Sequence, residues 1–158
     1  MITLEETYKT IKKSLKKKLT KLKKNPPSNL DKSFQDWHDK AFQNINCLTC
    51  ANCCKTTSPM VFEKDVDRLS QYLGIKPGEL IDKYLFLDRD GTYAMRQTPC
   101  PFLGDDNYCL VYEGRPKACR EFPHLNHRKM HTHLHLLDKN AVICPAVLET
   151  VKKIIETT

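Results

Sequence analysis

Cys47-Leu48-Thr49-Cys50-Ala51-Asn52-Cys53-Cys54 places four of the chain's eight cysteines within eight residues. Thiolates packed this densely are donors for a soft or borderline metal such as zinc or iron. The other four, Cys100, Cys109, Cys119 and Cys144, are spread through the C-terminal half. Everything after residue 47 therefore reads as a scaffold that returns distant cysteines to this loop.

Cys47, Cys50 and Cys53 are spaced by three. Such a run can wrap three thiolates around one corner of an iron–sulfur cluster, a distant Cys-Pro completing it, and Cys100-Pro101 and Cys144-Pro145 both have that form. A C-x2-C pair is equally the knuckle of a tetrahedral zinc site. Eight thiols balance as two four-cysteine zinc sites or as one cluster with spare ligands, and the spacing leaves both open. Adjacent side chains diverge by about 100° on a helix, so Cys54 is expected to serve a different centre, or a different iron, from Cys53. Arg115 and Arg120 flank Cys119 and are candidates to balance thiolate charge, with carboxylate pairing as the alternative.

Upstream, nine lysines from Lys9 to Lys24 face only Glu5 and Glu6, which accounts for the whole net charge of +7 and leaves the remainder neutral. Leu4, Tyr8, Ile11, Leu15, Leu19 and Leu22 recur at three and four, one narrow apolar stripe on a lysine-covered helix that Asn25-Pro26-Pro27 ends. That arm, residues 1–27, either docks its stripe or meets a polyanion such as nucleic acid or an anionic membrane. Residues 28–158 are expected to form the metal-binding domain.

Within it, a helix starting near Ser28 or Asn29, with Asp31 in its first turn, buries Leu30, Phe34, Trp37, Ala41 and Ile45 and leads into Cys47. Ser58 to Phe62 looks extended. A helix from Glu63 points Val66, Leu69 and Leu73 inward and stops at Gly74, and Pro77 opens another. Arg89-Asp90-Gly91 marks a hairpin between Leu85–Asp88 and Thr92–Gln97; the glycine comes too early for a calcium loop. Pro116 and Pro123 bracket a helical turn or two, and an amphipathic helix follows Cys144-Pro145. The fold class is α+β, helix-rich, with irregular cysteine-bearing loops.

His124, His127, His131, His133 and His135 form a second cluster. His131-Thr132-His133-Leu134-His135 alternates, so a strand would put three imidazoles on one face, where they could bind metal or simply be exposed.

The combined pattern of Cys47-x2-Cys50-x2-Cys53-Cys54, Cys100-Pro101-Phe102-Leu103, Cys109-x-Val111-Tyr112 and Arg115-Pro116-x2-Cys119-Arg120-x-Phe122-Pro123 resembles the CxxCxxCC cysteine-cluster family, the YkgJ-like zinc- or iron-chelating proteins. The resemblance implies that Cys47, Cys50, Cys53, Cys54, Cys100, Cys109 and Cys119 are ligands, with Cys144 as the late cysteine. A similar module occurs in flagellin lysine methylases, most of which has no counterpart here.

No phosphate loop, nucleophile elbow or H-E-x-x-H motif is present. The expected function is metal binding, with zinc or iron structural, stored or sensed, and catalysis is not expected. An iron–sulfur redox or modification enzyme and a nucleic-acid-binding module are the alternatives. Met1 to Glu6 lacks the features of a signal peptide and no run could span a bilayer, so a cytoplasmic location is expected.

Overall fold

Thr3 and Glu6 cap each other: the Thr3 hydroxyl oxygen accepts from the Glu6 N–H, and the Glu6 carboxylate accepts from the Thr3 N–H. From this box runs α1 (Leu4–Lys24), which Asn25 ends before the two prolines. The computed structural model describes residues 3–157, a helix-rich α+β chain with one small antiparallel sheet. Its contacts divide it into two units, one built from the chain up to Asn46 with the segment from Pro123 onward, the other from Cys47–Phe122.

In the first unit, the stripe of α1 is buried at Tyr8, Leu15 and Leu22 and half-buried at Leu4, Ile11 and Leu19. It packs on α9 (Pro145–Thr157), as does α2 (Leu30–Asn44) through Leu30 and Phe34. Helix α9 contributes Ala146, Val147, Leu148, Val151 and Ile154 to this core. Each fully buried aliphatic side chain stabilises the packing by about 1.5–3 kcal/mol. The Tyr8 hydroxyl donates to Asp138 of α8 (His135–Asn140), and that contact, together with burial, raises the phenol's pKa.

In the second unit, two short helices, α3 (Cys47–Cys50) and α4 (Asn52–Thr56), are followed by β1 (Met60–Val61), α5 (Glu63–Leu73) and α6 (Pro77–Tyr84). Gly74 caps α5 with φ +68 and its N–H on the Ser70 and Gln71 carbonyls, a left-handed turn that disfavours any side chain. Strands β2 (Leu85–Leu87) and β3 (Tyr93–Met95) form the hairpin signalled by Asp-Gly. Asp88 accepts from the Asp90 and Thr92 N–H groups, and the sheet order is β1-β3-β2. Val61, Val66, Leu69, Leu80, Leu85, Met95, Phe102 and Val111 form the core beneath. A 3-10 turn (Tyr112–Gly114) and α7 (Lys117–Glu121) complete the unit. Gly114 lies where a Cβ would come within 2.9 Å of the Tyr72 ring, so α5 and this turn approach closely because the residue has no side chain.

The alternating histidines do not form a strand. His131 lies in a 3-10 turn (Met130–Thr132), His133 follows it, and His135 opens α8. Asp31 is the reason: its carboxylate accepts from the Lys129 and Met130 N–H groups, both at 2.8 Å, and starts that turn.

Candidate metal centre

Ala51 separates the four clustered cysteines into two pairs. Its φ of 48 and ψ of 16 break the helix between Cys50 and Asn52, leaving Cys47 and Cys50 on α3 and Cys53 and Cys54 on α4. A left-handed alanine costs about 1–2 kcal/mol, which the surrounding loop has to offset. The Ala51 N–H bonds the Cys47 carbonyl, and the Lys55 N–H bonds the Ala51 carbonyl, so the kink is tied on both sides.

Cys100 and Cys109 stand on a tight loop. Leu103 and Cys109 form an isolated antiparallel bridge, the Gly104 N–H reaches the Tyr108 carbonyl, and the Leu110 N–H reaches that of Phe102. Asn107, at φ 67, turns this loop and donates its side-chain amide to the Thr49 carbonyl of α3 at 3.0 Å. The Cys100 N–H donates to the Cys54 carbonyl at 2.8 Å. Two hydrogen bonds thus hold the Cys100–Cys109 loop against the Cys47–Cys54 stretch, across about fifty residues of sequence.

Cys119 is placed by a third device. Asp65, 2% exposed at the start of α5, accepts from the Phe62 and Lys117 N–H groups at 3.0 Å each and pairs with Arg68. Arg68 in turn donates to the Arg115 carbonyl at 2.8 Å. One carboxylate and one guanidinium from α5 therefore clamp residues 115–117, immediately before Cys119. Burial alone would push the Asp65 carboxyl up, but the two N–H donors and Arg68 outweigh it and hold the pKa below its usual value.

All eight cysteines are free thiols. Seven of them, Cys47, Cys50, Cys53, Cys54, Cys100, Cys109 and Cys119, lie in the second unit. Cys54 is the hub of their mutual electrostatics. Its negative charge disfavours ionisation of Cys47, Cys100, Cys109 and Cys119. Burial is the larger cause in each case, and it pushes Cys119 up to about 12. The Cys53 and Cys54 thiols hydrogen-bond each other, which lowers the first and raises the second. Both residues lie on α4 (Asn52–Thr56). Cys144 belongs to the first unit, 7% exposed, its N–H on the Asn140 carbonyl at the start of α9.

Backbone donors reach sulfur beyond the helices too: the Phe102 N–H at Cys100 and the Val111 N–H at Cys109. Both are two residues beyond their cysteine, the local geometry that stabilises a thiolate against protonation. Arg115 supplies positive charge to Cys47, Cys54, Cys109 and Cys119. Its guanidinium carbon lies 3.5 Å from the centre of the Tyr112 ring, and its Nε donates to the Tyr112 carbonyl at 2.6 Å. Arg120 shows no such link; it lines a separate cavity with Phe62, Lys64 and Arg68.

Thiols with backbone N–H donors and a fixed guanidinium nearby have chemistry that suits zinc or iron. Left metal-free, Cys47, Cys54, Cys100, Cys109 and Cys119, whose pKa values are raised, would stay protonated at neutral pH. Sequence reasoning missed Asp65 and Asn107, and placed Asp31 in the first turn of α2 without its role at Lys129 and Met130. Asp65 carried the same local signal, as an acid in the first turn of α5.

No curated protein and no solved structure matches the chain. The model of one protein family does, CxxCxxCC, described as a putative zinc- or iron-chelating domain, over residues 46–145. Spanning well over half of the sequence and every cysteine in it, that match means that the chain belongs to the CxxCxxCC family.

Proposed function

We propose that this protein binds zinc or iron at a polynuclear thiolate centre, with Cys47, Cys50, Cys53, Cys54, Cys100, Cys109 and Cys119 as the ligand pool. The observation that carries the reading is the pair of hydrogen bonds, Cys100 N–H to the Cys54 carbonyl and Asn107 to the Thr49 carbonyl, that holds the Cys100–Cys109 loop against the Cys47–Cys54 stretch. One tetrahedral zinc ion uses four thiolates, so a pool of seven within the one unit Cys47–Phe122 favours more than one metal atom, as two zinc ions or as an iron–sulfur cluster. Cys144 joins the pool on its Cys-Pro sequence alone. The metal, once bound, would supply Lewis acidity or an electron-transfer centre. The chain's own part is to hold thiolates with backbone N–H groups and to offset their charge with Arg115. A structural, storage or sensing role fits this donor set, and the protein would act in the cytoplasm.

Anaerobic purification without chelator, followed by elemental analysis and an absorption spectrum, tests the proposal. Two to four zinc or iron atoms per chain are expected, colourless for zinc and brown for iron–sulfur. A protein containing neither metal refutes it.

A polyanion is the second partner we propose. It is supported by α1, whose buried face is Tyr8, Leu15 and Leu22 while Lys9, Lys12, Lys13, Lys16, Lys17, Lys21, Lys23 and Lys24 are exposed.

A further inference from the structure

The segment from Pro123 to Leu134 has little regular structure but is held at several points. Leu125 and Met130 are 1% and 0% exposed, the Asn140 side-chain amide donates to the Pro123 carbonyl, and Asp31 binds the Lys129 and Met130 N–H groups. Two residues in it take the left-handed conformation although neither is glycine: His124 at φ 64 and Lys129 at φ 57. A β-branched or bulky side chain seldom sits there, and the anchors around the loop are what maintain it.

This framework brings three imidazoles into a row. His124 Nδ1 and His127 Nε2 are 3.0 Å apart, and the two rings are nearly parallel, 11° between their planes. His133 stacks on His127, its ring centre 4.4 Å away and its plane tilted by 25°. All three are half-buried. None of these residues is a cysteine neighbour in sequence, and none takes part in the thiolate centre proposed above.

The geometry points to a second, sulfur-free site for a borderline divalent cation such as Zn2+, chelated by His124 Nδ1 and His127 Nε2 with His133 fixing the His127 ring. The two facing nitrogens can share one proton in a hydrogen bond or share one metal ion. Two ligands at about 2.0–2.1 Å from a tetrahedral zinc ion are separated by about 3.4 Å, so the pair needs to open by only about 0.4 Å. Neutral imidazole prefers zinc, copper and nickel over magnesium or calcium. With two protein nitrogens the site would be weaker than a closed four-ligand centre, and its remaining positions would be open to water or another small donor. The stack on His133 limits rotation of the His127 ring, so less freedom is lost on chelation.

The test uses the full chain labelled with 15N, and long-range 1H–15N spectra that resolve imidazole nitrogens, during addition of Zn2+ after the cysteines have taken up what they hold. Expected is one further equivalent that moves the ring nitrogens of His124 and His127 together while those of His38 and His135 stay. His127→Gln should weaken that uptake at least tenfold and abolish the His124 shift. His133→Gln should keep the paired shift at a several-fold weaker affinity. Excess zinc that moves neither ring, or moves all histidines alike, overturns the proposal, as does a folded His127→Gln variant with wild-type uptake. The wild-type ring shifts decide the matter even if that variant does not fold.

Discussion

Replacing Asp65 by alanine should disable the clamp that holds the Cys119 segment. The carboxylate is 3% exposed and accepts from Phe62, Lys117 and Arg68. Breaking a buried ion pair by removing one partner costs about 3–5 kcal/mol, and hydrogen bonds to a charged group contribute about 1.5–3 kcal/mol each. Arg68 is 31% exposed, so water recovers part of its charge and the lower end applies, about 3 kcal/mol. For a chain of this size that corresponds to a Tm lower by roughly 6–12 °C. Asp65→Asn keeps one acceptor oxygen and should cost about half as much. Urea denaturation followed by far-UV circular dichroism measures both. The acid limb gives an independent check: the folded pKa lies below 3.8, so the stabilisation is present above about pH 4 and is lost as pH falls through the lower folded value. Asp65→Asn should flatten that limb. An alanine variant within 0.5 kcal/mol of wild type would refute the clamp.

Three further outcomes follow from the thiolate centre and from α1. Apparent metal affinity should fall steeply on acidification from pH 8 to 6, because thiols with raised pKa values, Cys119 near 12, must release protons to bind; competition with a chromophoric chelator reads it, and a flat profile argues against thiolate ligation. Arg115→Gln should weaken metal binding about 10-fold to 100-fold with little change in helix content, since it removes the charge beside four thiols; unchanged affinity would assign the guanidinium to Tyr112 alone. Replacing Lys13, Lys16 and Lys17 together by glutamine should reduce salt-sensitive binding to RNA or anionic vesicles several-fold and leave Tm within a few degrees, all three being exposed. Deleting α1 is the poorer experiment, because Leu15→Ala alone would cost about 2–5 kcal/mol of packing on α9.

Local signals carried most of the fold class. The three-and-four spacing of Tyr8, Leu15 and Leu22 gave α1, Gly74 gave the end of α5, and Asp90-Gly91 gave the hairpin. These features depend on neighbours within one or two turns, which is the range over which sequence patterns speak. The arrangement of the cysteines depends on remote partners: Asn107 on Thr49, Cys100 on Cys54, Asp65 on Lys117. No periodicity encodes such pairs. The histidine stretch misled for the same reason. Its alternation fits a strand, but Asp31, nearly a hundred residues earlier, turns Lys129 and Met130 into the start of a 3-10 turn.

The split of the chain into Cys47–Phe122 and the segments on either side has a consequence for synthesis on the ribosome. The cysteine-rich unit is continuous, so every partner that Asp65, Asn107 and Cys54 require has emerged soon after Phe122. Helices α1 and α2 must wait for α9, more than a hundred residues later, before their apolar faces are fully covered. The lysines of α1 would keep that early, unpaired helix soluble during the delay. Closing so long a loop adds little to the entropy cost, about 0.6 kcal/mol per doubling of length, but it fixes an order of events. All seven cysteines of the proposed thiolate centre are thus on hand before α9 is made.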